Sequence, residues 1–67
     1  MDDFTQGIFY AAAILVTLNN EPTRAADILE QAGYLNADCS DLDDSEKEAM
    51  RKLQCQDSRC CFTGLDS

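Results

Sequence analysis

The residue types best suited to chemistry in this chain are its four cysteines, Cys39, Cys55, Cys60 and Cys61, spaced C-x15-C-x4-C-C. Four thiolates can close a tetrahedral zinc site, whose ligands commonly arrive as pairs two to four residues apart. Only the Cys55/Cys60 gap approaches that spacing, Cys39 stands alone, and with no histidine all four would be needed. A zinc-stabilised module is therefore a third possibility for the chain's function, and reduced thiols without any cofactor are the main expectation. A disulfide framework would need an oxidising compartment, and no C-x-x-C redox pair is present.

The acids Asp38, Asp41, Asp43 and Asp44 invite a calcium reading, which the spacing rejects. An EF-hand loop needs Gly at its sixth position and Glu at its twelfth. The twelfth residue from Asp38 is Ala49 and from Asp41 is Lys52, and no Gly lies between them. Helix capping accounts better for these acids. General acid–base work draws on His or on desolvated carboxylates, and here His is absent and most carboxylates fall on solvated faces. Neither a phosphate-binding Gly loop nor a nucleophile elbow occurs, and three short helices leave little room for a cleft of ~300 Å³. The Tyr10 hydroxyl reads as an interface or core-edge group. No catalytic residue is expected.

Thirteen acidic residues against five basic ones give a formal charge of −8. Phosphate backbones and anionic membranes both call for Lys and Arg, so neither direct nucleic-acid binding nor membrane adsorption is expected. Strong acidity favours solubility and basic partners. The apolar run Ile8 to Leu18 falls short of the ~20 residues of a membrane span. It follows Met1-Asp2-Asp3 rather than the basic stretch of a signal peptide. A cytoplasmic protein is the expectation.

The elements that must position these residues are helical. The spacing predicts an all-α chain with helices over about 3–19, 22–32 and 41–53, the first two forming an antiparallel hairpin. Asp2 or Asp3 can cap the first helix, and Asn19-Asn20 can end it. Pro22 suits the first turn of the second helix and Gly33 the position just past its end. Ser40 or Asp41 is the expected cap of a third, largely solvated helix. Residues 54–67, polar and aperiodic, read as a flexible Cys-containing tail in which Phe62 and Leu65 are weak anchors.

Helix 1 is apolar nearly all round. At about 100° per residue, Phe4, Ile8, Ala11, Leu15 and Leu18 form one stripe, with Ile14 at its edge. Phe9, Ala12, Ala13 and Val16 continue the arc on the far side. A helix apolar on both sides must be covered twice, and the small Ala25/Ala32 face of helix 2 covers only one. A homodimer is expected, built on Phe4, Ile8, Phe9, Ala12, Leu15 and Val16; a compact three-helix monomer is the competing arrangement.

The segments Asp3-Phe4-Thr5-Gln6-Gly7-Ile8-Phe9-Tyr10-Ala11-Ala12-Ala13, Pro22-Thr23-Arg24-Ala25-Ala26 and Leu42-Asp43-Asp44 resemble small acidic accessory proteins of lambdoid temperate phages. The resemblance covers residues 3–53 and carries no functional residue. It implies a bacterial cytosolic setting and modulation of host or phage development through protein contacts. The functional expectation is a non-enzymatic regulatory protein that dimerises and binds an unidentified host or phage protein. An acidic inhibitor mimicking DNA, with Asp41, Asp43 and Asp44 on its surface, is the alternative.

Overall fold

A computed structural model describes residues 2–65 and shows three helices: α1 (Asp3–Thr17), α2 (Pro22–Ala32) and α3 (Asp44–Gln56). α1 begins where Asp2 Oδ1 accepts the Thr5 N–H at 2.8 Å. That hydrogen bond holds the Asp2 carboxyl below the ordinary range. α1 stops two residues short of the expected end because Asn20 turns the chain at φ 51°, with the Glu21 N–H returned to the Leu15 carbonyl. α2 has the expected bounds. Pro22 lies in its first turn, and Gly33 at φ 82° lets the Gly33 and Tyr34 N–H groups reach the Glu30 and Leu29 carbonyls.

α3 starts three residues later than the spacing predicts. A turn closed by the Leu42 N–H on the Cys39 carbonyl drives Leu42 into the core. Asp43, not Ser40 or Asp41, is then left to cap the helix, accepting the Glu46 N–H at 2.8 Å. Nor is α3 a solvated lid: Ala49, Met50 and Leu53 are buried with Phe9, Ala12, Val16, Ala25, Ala26 and Leu29 in one core. Burial of each large member contributes about 1.5–3 kcal/mol.

The largest departure from expectation lies beyond position 53. Residues 54–56 complete α3, and the chain as far as Leu65 folds back as a strap rather than trailing as a tail. The Cys61 and Thr63 N–H groups donate to the Leu35 and Ala37 carbonyls, and Cys39 N–H donates to Thr63. This makes one isolated parallel bridge between Asp38 and Thr63, and no strand occurs among the described residues. Cys60 and Phe62 point inward while Cys61 and Thr63 point out, the two-residue alternation of extended chain. Phe62 meets the Phe9 ring edge-on at 6.1 Å, and Tyr34 lies 5.9 Å from Phe9 on another side.

Candidate functional site

The two apolar sides of α1 meet different fates. Phe9, Ala12, Ala13 and Val16 face inward and are buried by α2, α3 and the strap. Phe9, Ala12 and Val16 therefore cannot form an intermolecular face in the folded chain, which corrects half of the expected interface. Their second cover comes from Phe62 and α3, within the same chain. The opposite side is only partly open, since Ile8 and Leu15 pack against the edge of the core. Phe4 is 72 % exposed and Leu18 78 %, Gly7 and Ala11 are exposed, and Ile8, Ile14 and Leu15 are half-buried.

These outer residues follow a four-three alternation, Phe4, Ile8, Ala11, Leu15, Leu18, which keeps a seam on one side of a helix. No charged residue occurs from Phe4 to Asn20. α1 is about 22 Å long at 1.5 Å per residue, so the seam spans a molecule measuring 23 × 22 × 20 Å. Tyr10, 60 % exposed, lies beside it. The face is held in place at its start by a 3.1 Å hydrogen bond between the Thr5 and Tyr34 hydroxyls.

The four cysteines do not assemble. Cys39 and Cys60 are buried, Cys55 and Cys61 are exposed, and no group of three or more candidate metal ligands forms among the described residues. Burial pushes the Cys39 thiol up to about 11, with the neighbouring Asp38 charge adding to the effect, and raises Cys60 in the same way. Both are weak nucleophiles for that reason.

Asp41, Asp43 and Asp44 are exposed, as expected of an acidic surface. Asp43 has a structural duty besides, as the cap of α3. Three residues on, Glu46 is buried, one carboxylate oxygen has no hydrogen-bond partner, and burial followed by the nearby Asp43 raises its pKa. An open groove of ≈ 340 Å³ between α1 and α3 is lined by Thr17, Ser45, Glu48, Ala49 and Lys52. None of the cysteines or capping acids lines it.

Arg59 is the polar hub that sequence reasoning missed. Its guanidinium grips Asp57 through Nε at 3.1 Å and Nη2 at 2.8 Å, and reaches Asp27 at 2.8 Å and Glu30 at 3.2 Å through Nη1. The turn that begins the strap is thus tied to α2, and the Asp57 carboxyl is held below its ordinary range. Farther along, the Arg51 guanidinium donates to the Leu65 carbonyl and Gln54 Oε1 accepts the Phe62 N–H. The in–out alternation at Cys60 to Thr63 was the available sequence signal for this strap. Compared with known protein families, curated proteins and solved structures, the chain matches none.

Proposed function

We propose that this chain is a non-enzymatic interaction protein that assembles through the outer face of α1 and offers its acidic faces to a protein partner. One observation carries the reading: on a helix without charged residues beyond its first turn, Phe4 is 72 % and Leu18 78 % exposed, with Tyr10 60 % exposed between them. Leaving such side chains exposed forgoes about 1.5–3 kcal/mol each, and contiguous exposed apolar surface marks association sites. A regulatory role in a temperate phage early region, within a bacterial cytoplasm, is the setting the sequence resemblance implies. It agrees with the finding that no helix among the described residues is long and apolar enough to cross a membrane.

Sedimentation velocity over a concentration series tests the reading. Association that disappears in Leu18→Asp, with helicity by circular dichroism unchanged, supports it; a strictly monomeric chain at high micromolar concentration overturns it. The exposed run of Asp41, Asp43 and Asp44 favours a second reading, an acidic mimic that occupies a basic groove. Its test is Asp41→Lys with Asp44→Lys, and Asp43→Ser to remove charge while keeping a cap. Mimicry is abolished by this change, whereas assembly through α1 is untouched.

A further inference from the structure

We draw no further inference here: the strongest candidate, the patch of exposed Phe4, Tyr10 and Leu18 on the outer side of α1, carries nothing further because nothing in the structure shows what covers it.

Discussion

Gly64→Ala should loosen the strap that closes the inner side of α1. Gly64 sits at φ +75°, and a Cβ there would meet Asp38 Oδ1 at 2.5 Å, Ser40 N at 2.7 Å and Ser40 Cβ at 2.9 Å. Ser40 N is backbone and is itself held by Asp38 Oδ1 at 3.0 Å, so the clash cannot be relieved by rotating one side chain. The left-handed conformation costs alanine about 1–2 kcal/mol and overpacking about 1–3 kcal/mol, a total of about 2–5 kcal/mol. Gly33→Ala is the internal control. Its φ is +82° but a Cβ meets nothing within 4 Å, so only the conformational cost of about 1–2 kcal/mol applies. A core in a chain this short supplies about 3–5 kcal/mol in all, which leaves the Gly64 variant marginal or unfolded. Urea denaturation followed by circular dichroism gives the two losses. Hydrogen exchange then shows whether the Cys39, Cys61 and Thr63 amides open before those of α1 and α2. Equal losses for the two variants would refute the close approach of Gly64 to the Asp38–Ser40 turn.

The two sides of α1 should respond differently to truncation: Phe9→Ala removes about 3–5 kcal/mol, as much as the whole core supplies, and should leave the chain largely unfolded by circular dichroism without urea, whereas Phe4→Ala should change the stability of the dilute chain by less than about 0.5 kcal/mol. The pH dependence of Glu46 has a definite sign. Its folded pKa is raised by burial and by Asp43, so the proton is bound more tightly in the folded chain and stability falls as pH rises through and above 4.5. Glu46→Gln should therefore be more stable than the parent at pH 7, because it removes the buried charge beside Asp43, with the gain vanishing near pH 3 where the carboxyl is protonated; melts at both values measure it. Thiol labelling at neutral pH should modify Cys55 and Cys61 promptly and Cys39 and Cys60 only after unfolding, as counted by mass spectrometry.

Local chemistry made much of the fold legible. Pro22 and Gly33 marked both ends of α2 because a missing N–H and a left-handed φ are properties of those residues themselves. Asp2 at the head of α1 was readable for the same reason. The start of α3 was less so, since Ser40, Asp41 and Asp43 are all competent caps. Burial of Leu42 decided among them, and that depends on contacts far along the chain. The strap was hidden because its hydrogen bonds run to residues 35–39 and its ion pairs to α2, partners separated by tens of residues. A search for helical period passes over the alternation of Cys60 and Phe62.

For the candidate site, the sequence determined that α1 carries two apolar sides and that its outer stripe repeats in fours and threes without charge. Which side would be buried was decided only in three dimensions. A helix apolar all round has no intrinsic preference for either face. Phe62 packs on Phe9, and Leu29 and Leu53 join Phe9 and Val16 in one core, whereas Phe4 and Leu18 are left exposed because nothing among the described residues covers them.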